Sequence, residues 1–213
     1  MKPAVTAFLL LLAVPQDQSP EARRLLDALA PAVKPGSYSQ ITWENGAKKG
    51  SGAFERQKAW RLDTKKGDVE MVFLWDGKGF LNYMKKSNRF FRSPKDSPSI
   101  LLTEGGPLAE IHYSGSSERL FTGAGKVKVT KEKLDDVDCS HIVIPRTESS
   151  GGPDIELHLW VDADKHLRKV TRKSTSQGKT FESTFLYTVV EDVTATAESF
   201  KFKVPDDAKD LGK

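Results

Sequence analysis

Residues 155–205 read IELHLWVDADKHLRKVTRKSTSQGKTFESTFLYTVVEDVTATAESFKFKVP, and this stretch decides the fold class. In residues 155–161 apolar side chains occupy every second position, which is the period of a half-buried β-strand. Residues 167–173 alternate in the same way after an aspartate-containing turn at 162–165, so the pattern predicts a hairpin. A third strand follows, with one apolar face formed by Phe181, Phe185, Tyr187 and Val189.

The two remaining parts of this stretch differ in composition. Residues 174–179 are polar and contain glycine, and we predict a flexible link there. Residues 200–205 alternate again and predict a short strand that ends at Pro205, because proline has no amide to donate to a ladder. Long antiparallel strands with one apolar face imply a broad sheet that must bury that face under other elements.

Composition and charge limit the classes of function. The chain has 213 residues, of which 38% are hydrophobic and 29% charged, which is ordinary for one globular domain with a short leader. The 33 basic residues are spread among 29 acidic ones, whereas a dedicated nucleic-acid binder would concentrate them. The densest basic segment, residues 85–95, contains Phe90 and Phe91. It favours a solvated hairpin edge over a surface for single-stranded nucleic acid, so no nucleic-acid partner is predicted.

The first residues are typical of a secretory signal peptide. Lys2 precedes an almost wholly apolar run at 4–14, which is too short to span a membrane, and polar residues follow. We therefore predict a signal peptide at 1–16, a single mature domain at 17–213 and a periplasmic location. Cys139, the one cysteine of the chain, does not follow the leader and cannot be its lipid-modified residue; we predict that it is a small buried side chain.

The rest of the chain predicts a helix, a meander and a cover. Apolar residues at helical spacing after Ser19 predict a helix of about four turns that Pro35 and Gly36 end. Alternation then predicts strands at 38–44, 51–63, 68–75, 79–84, 89–92, 126–131 and 137–144. Between them, residues 93–117 carry prolines and glycines around two short apolar runs, and we predict short helices that form a mobile cover over the sheet.

Several short motifs occur in order along the chain. They are the helix after the leader, FERQKAWRL at 54–62, WDGK at 75–78, LWVD at 159–162 with Leu167, and FKFKVP at 200–205. Together they resemble the outer-membrane lipoprotein carrier protein family over roughly residues 19–210. The resemblance implies an α+β, mainly β fold: an unclosed antiparallel β-barrel, or half-barrel, with an N-terminal helix and short lid helices over an apolar cavity that receives acyl chains.

The resemblance also implies a binding site. The family has an arginine-proline pair followed by an aromatic residue, which is similar to Arg56-Gln57 and Trp60 here, although the proline is missing. Because alternate residues of a strand share a face, we predict that Arg56 and Trp60 border the cavity. The predicted ligand-binding residues are Phe54, Arg56, Trp60, Leu62, Phe73 and Trp75. The aromatic residues among them are most simply explained as core, but on a half-barrel one surface can be both core and lining.

Signatures of catalysis are missing from the sequence, and we predict a non-enzymatic protein without cofactors. The turn residues Asp162, Asp164 and His166 could hold a metal ion, but a hairpin turn is the simpler explanation, and no metal site is predicted. The predicted function is a periplasmic carrier of acyl chains of lipoproteins or lipids to the outer membrane, with membrane-associated donor and acceptor proteins as partners. The alternative is an envelope sensor or adaptor that uses the same fold to bind another protein.

Overall fold

A computed structural model describes residues 19–29, 38–147, 154–188 and 195–212. Its helices are α1 (Ser19–Asp27) and α2 (Gly106–Ser114), with a π-helical turn at Leu101–Gly105 and 3₁₀ turns at Glu118–Phe121 and Ala197–Phe200. Its strands are β1 (Tyr38–Asn45), β2 (Lys48–Glu55), β3 (Ala59–Lys66), β4 (Val69–Trp75), β5 (Phe80–Met84), β6 (Arg89–Ser93), β7 (Lys128–Leu134), β8 (Val137–Thr147), β9 (Asp154–Asp162), β10 (Leu167–Ser176), β11 (Lys179–Thr188) and β12 (Lys209–Asp210).

The twelve strands of the described residues form one open sheet, in which two antiparallel meanders contain β1 to β11. The order is β12-β6-β5-β4-β3-β2-β1-β11-β10-β9-β8-β7, so β1 of the first meander pairs with β11 of the second. The two-residue β12 lies parallel to β6 at one edge. The mainly β, unclosed antiparallel sheet predicted from the sequence is confirmed, whereas the cavity and the lid stay predictions.

The quoted stretch forms three of these strands. The hairpin and the third strand are confirmed as β9, β10 and β11. The flexible link predicted at 174–179 is wrong: β10 and β11 run through it, and Gln177 and Gly178, at φ 50° and 73°, make a two-residue turn. The final strand predicted at 200–205 is also wrong, because these residues pair with no neighbouring strand. Val189 lies outside the described residues.

The predictions for the first part of the chain are tested only in part, because the structure does not describe all of it. Helix α1 begins at Ser19 as predicted, but the described helix ends at Asp27, so it is shorter than four turns. The signal peptide predicted at 1–16 and the Pro35-Gly36 end predicted for the helix lie outside the described residues. Among the described residues, no helix is long and apolar enough to cross a membrane.

One face of the sheet carries the main core, and we call it the covered face. Alternate residues of the strands point to this face, and α1, α2 and their neighbouring turns pack on it. Its largest fully buried side chains from the sheet are Trp43, Phe54, Trp60, Leu62, Ile142, Ile144 and Leu159. Residues 100–121, which we call the cover segment, add Leu101, Ala109, Ile111 and Leu120. The apolar alternation read from the sequence is therefore buried under short helices.

A second, smaller core lies on the opposite or outer face. Ala59, Leu74 and Leu81 are buried there beneath Phe200, and Phe202 and Val204 pack at the edge of the cluster. Residues 197–205, which we call the C-terminal segment, therefore cover the outer face without forming a strand. Cys139 is buried as predicted, and burial raises the pKa of its thiol.

Candidate functional site

Most of the predicted ligand-binding residues meet on the covered face. Paired positions across β2, β3 and β4 bring their side chains together, because Trp60 lies opposite Phe54 and Trp75 in the ladder. Phe54, Trp60, Leu62 and Phe73 are at most 4% exposed, and Trp75 packs against them at the edge of the cluster. The five apolar residues thus form core under the cover segment, and their role as a lining stays a prediction.

Arg56 lies elsewhere. The strand predicted at 51–63 is a hairpin, in which a turn at 56–58 separates β2 from β3 and Gln57 adopts φ 56°. The prediction that Arg56 and Trp60 share one face of a single strand is therefore wrong. From the turn, Nη2 of Arg56 donates to the carbonyl oxygen of Gly115, at 3.1 Å, just beyond α2. Gln57 adds two bonds to the same end of the helix, donating to Tyr113 and Ser114.

The other end of α2 is held by a residue outside the predicted site. The hydroxyl of Tyr187, from β11, donates to the carbonyl oxygen of Gly105 at 3.1 Å. Burial raises the pKa of Tyr187 above its ordinary value, so the phenol remains a neutral donor. Sequence reasoning placed Tyr187 on an apolar face but gave no signal for this bond, because the partner lies 82 residues away.

A glycine with a positive φ lies at or next to each of these contacts. Gly106 and Gly115 each have φ 73°, a conformation that side chains disfavour. A Cβ at Gly106 would lie 2.2 Å from the Tyr187 hydroxyl, and one at Gly115 would lie 1.9 Å from Nε of Arg56. Helix α2 is thus bounded by two glycines, and at each of them a sheet side chain fits closely against the backbone.

Asp96 precedes the cover segment and connects it to the sheet. It accepts hydrogen bonds from the indole of Trp60 at 3.2 Å and from the hydroxyl of Tyr113 at 3.1 Å. Burial and the neighbouring Asp96 carboxylate raise the pKa of Tyr113. Lys48 and Glu104 form an ion pair that joins β2 to the π-helical turn. Hydrogen bonds and an ion pair therefore hold the cover segment to the sheet at the margin of their apolar contact.

Helix α2 also carries two ionisable side chains that packing removes from water, Glu110 completely and His112 in part. Glu110 has no exposed surface; one oxygen accepts from Arg119 at 2.9 Å, and Oε2 is buried without a partner among the described residues. Burial raises the pKa of this carboxyl. Burial also lowers the pKa of His112 to about 4, although Nδ1 lies 2.9 Å from the hydroxyl of Ser39. Each group makes the closed arrangement less favourable when it is charged.

A small cavity remains beside α2 on the covered face. It has a volume of about 280 Å³, and its lining includes Leu29 of the α1 end, Ile41 of β1, Leu108 of α2, and Tyr187. This is close to the lower end of the ~300–1,000 Å³ range of ligand pockets.

A larger open groove, of about 680 Å³, lies on the outer face beside the C-terminal segment. In that groove Lys65 and Lys85 pair with Glu70 and hold the pKa of its carboxyl at about 2.

The turn cluster Asp162, Asp164 and His166 has ligand atoms within 4.8 Å of one another. Asp162 is already engaged, because it accepts from the His166 amide at 2.8 Å and from Nε of Arg168 at 2.6 Å. These bonds hold the pKa of Asp162 low despite its burial. The arrangement supports the hairpin explanation given above.

Comparison with known proteins identifies a family. A family model described as a predicted periplasmic protein (DUF2092) matches residues 48–211. The chain belongs to this family. The periplasmic location predicted from the leader is thereby confirmed, but the match does not support the lipoprotein carrier family specifically. No curated protein matches the chain.

A solved structure shares the fold. It is the crystal structure of an uncharacterized conserved protein from Thermus thermophilus, with a TM-score of 0.52 and 15% sequence identity. The similarity covers 91% of this chain and 99% of the other. At this identity the likeness concerns the fold alone, so the activity of this DUF2092 member has to be argued from its own residues.

Proposed function

We propose that the protein is a non-enzymatic periplasmic carrier whose covered face receives an acyl chain when the cover segment moves away. The observation that carries the proposal is the way in which α2 is held at its two ends. Glycines with φ 73° bound the helix at Gly106 and Gly115, and the side chains of Tyr187 and Arg56 hold its two ends. Glycines permit the backbone changes that a hinge requires, and the hydrogen bonds at the two ends of the helix can be exchanged for bonds to water at a small net cost each.

The surface beneath the cover has the chemistry of an acyl-chain site. Trp43, Phe54, Leu62, Phe73 and Phe185 would lie against a bound chain in place of Leu108 and Ile111. Burying a lipid chain contributes about 0.8 kcal/mol per methylene, so a chain of ordinary length could replace the contacts that the helix gives up. Release then requires a partner that competes for the chain, which is the role of membrane-associated donor and acceptor proteins.

The first test asks whether lipid accompanies the protein. Protein purified from the periplasm without detergent is examined by native mass spectrometry and by organic extraction. The proposal expects a co-purified species with at least one acyl chain. A lipid-free protein that also fails to bind a fluorescent fatty acid would contradict it, and capture of a single envelope protein instead would favour the sensor or adaptor alternative.

A matched pair of variants tests the role of the cover. Arg56 holds the cover segment, whereas Arg61 donates to the carbonyl oxygens of Ser199 and Lys201 and so holds the C-terminal segment. In stopped-flow experiments with a fluorescent fatty acid, Arg56→Gln should bind the probe several-fold faster than wild type. Arg61→Gln should bind at the wild-type rate. Equal acceleration by both variants would show a general loosening of the fold and would refute a specific role for the cover.

A further inference from the structure

Two arginines lie at the same end of the covered face, outside the predicted site. Arg146 of β8 is opposite Ile155 of β9 in the ladder. Arg172 of β10 is opposite Leu157, two residues further along β9. Alternate residues of a strand share a face, so both arginines belong to the covered face, on which Leu157 is part of the main core. Three neighbouring strands therefore bring two long basic side chains together at the margin of an apolar surface.

The two positive charges are not balanced by a neighbouring acid. Among the residues that the structure describes, no carboxylate forms an ion pair with either arginine. Nη2 of Arg146 donates to the carbonyl oxygen of Arg119 at 2.6 Å, but within the same described part of the chain its Nε is buried without a partner. Burial and the positive charge of Arg172 both lower the pKa of Arg146. An anion bound beside the two guanidinium groups would offset this repulsion.

An exposed aromatic side chain lies at the same end of the sheet. Phe181 of β11 is 65% exposed, although it shares the covered face with the buried Phe185. Ladder pairs through Ser174 and Ile155 place it in one row across the sheet with Arg146. Positive charge beside accessible apolar surface suits a ligand that has an anionic group at one end of an apolar chain.

We propose that Arg146 and Arg172 bind an anionic group, a carboxylate or a phosphate, at this end of the covered face. The planar guanidinium fork matches the geometry of either group. The assignment of the anion to the head group of a lipid rests on the carrier function proposed above, and a free phosphate is the other source of the same chemistry. Because Arg146 also donates to Arg119 of the cover segment, an anion that draws Arg146 away from that carbonyl oxygen would release one hydrogen bond of the cover.

The test compares three probes: cis-parinaric acid, its neutral methyl ester, and inorganic phosphate. In fluorescence titrations at pH 8 the wild-type protein should bind the acid more tightly than the ester, because only the acid carries a charge. Arg172→Gln should weaken binding of the acid by about tenfold, as expected for the loss of a charge-assisted hydrogen bond, and should leave binding of the ester unchanged. Lys173→Gln is the matched control and should keep the wild-type affinity for the acid, since it removes the same charge from the next residue of β10, on the outer face.

Failure of the arginine site and failure of the carrier function give different results. If the wild-type protein binds the acid and the ester equally, or if Arg172→Gln and Lys173→Gln weaken binding of the acid alike, the arginine site is overturned and a carrier of neutral chains stands. If neither lipid probe binds, but phosphorus NMR shows phosphate binding that Arg172→Gln abolishes, the carrier function fails and the site takes a free anion. If none of the three probes binds, or if Arg172→Gln retains phosphate binding in the absence of lipid binding, the arginine site is overturned as well.

Discussion

The two faces of the sheet are covered in different ways, although an arginine of the β2–β3 hairpin helps to hold each cover. Arg56 reaches the end of α2 over the covered face, and Arg61 reaches the C-terminal segment over the outer face. The covered face contains the main core, but it also buries Glu110 completely and His112 in part. The cluster on the outer face consists of apolar and aromatic residues.

The difference shows how one cover can be both well packed and suited to movement. Apolar contacts of Leu101, Ala109 and Ile111 stabilise the closed cover segment. Buried ionisable groups work against that burial, since water solvates them once the segment moves away. The C-terminal segment has neither the large contact nor the opposing polar groups, so we expect it to act as a fixed support of the outer face.

The largest expected effect concerns the fit of the cover at Gly106. Gly106→Ala would place a Cβ 2.2 Å from the Tyr187 hydroxyl in a left-handed backbone, whereas Gly123, with φ 70°, has no atom within 4 Å of its added Cβ. The conformation alone costs ~1–2 kcal/mol and the overpacking a further ~1–3 kcal/mol. Urea unfolding should therefore show a loss of about 4 kcal/mol for Gly106→Ala and about 1 kcal/mol for Gly123→Ala. Equal losses would mean that α2 does not fit closely against Tyr187.

The next effect is a pH dependence that His112 gives to the covered face. Burial lowers its pKa from the ordinary 6.5 to about 4, so between these values the unfolded chain binds a proton that the folded chain lacks. The contribution of His112 to stability is complete above pH 6.5 and is lost as the pH falls towards 4, by at most about 3 kcal/mol.

Unfolding experiments at pH 4.5 and 7.5 measure this contribution. His112→Gln should reduce the difference in unfolding free energy between the two pH values by about 2 kcal/mol. His166→Gln, which changes a histidine of the β9–β10 turn, is the control and should retain most of the wild-type difference. An unchanged pH dependence in His112→Gln would indicate that the imidazole is solvated, and the cover segment would then be open already.

A smaller effect of opposite sign is expected from Glu110. Burial raises the pKa of this carboxyl, so its contribution to stability is complete below its ordinary pKa of 4.5 and is lost as the pH rises through the folded-state value. Glu110→Gln retains an acceptor for Arg119 and removes the charge. The variant should be more stable than wild type at pH 8, because burial disfavours the charged carboxylate, and should differ little from wild type at pH 4. A variant less stable than wild type at pH 8 would argue that the ion pair with Arg119 outweighs the burial.

Much of the sheet could be predicted from the sequence because its strands are long and one-sided, as in β9 and β11. The turn at Arg56-Gln57-Lys58 could not. These residues carry no common turn signal, and the pairing of Phe54 with Trp60 keeps even-numbered residues on one face through the hairpin. Alternation therefore places the apolar set correctly on one surface but assigns Arg56 to the wrong element.

The other features that could not be predicted from the sequence depend on contacts between residues that are distant in the chain. Phe200, Phe202 and Val204 alternate as they would in a strand, but their contacts are with the outer face of the sheet, and local alternation cannot tell packing from ladder bonding. The bond between Tyr187 and Gly105 and the meeting of His141 with His158 likewise follow from strand order and register. Register across β8 and β9 could not be fixed from either strand alone.

Hydrogen exchange tests the central claim, that the cover segment opens over an intact sheet, most directly. Amide exchange is compared between α2 and β9 by mass spectrometry at neutral pH, in wild type, Arg56→Gln and Arg61→Gln. The account predicts that α2 exchanges at least tenfold faster than β9, that Arg56→Gln accelerates only the cover segment, and that Arg61→Gln leaves it unchanged. If α2 is as protected as β9 in wild type and in Arg56→Gln, the cover opens only when the whole domain unfolds, and the proposed carrier mechanism is contradicted.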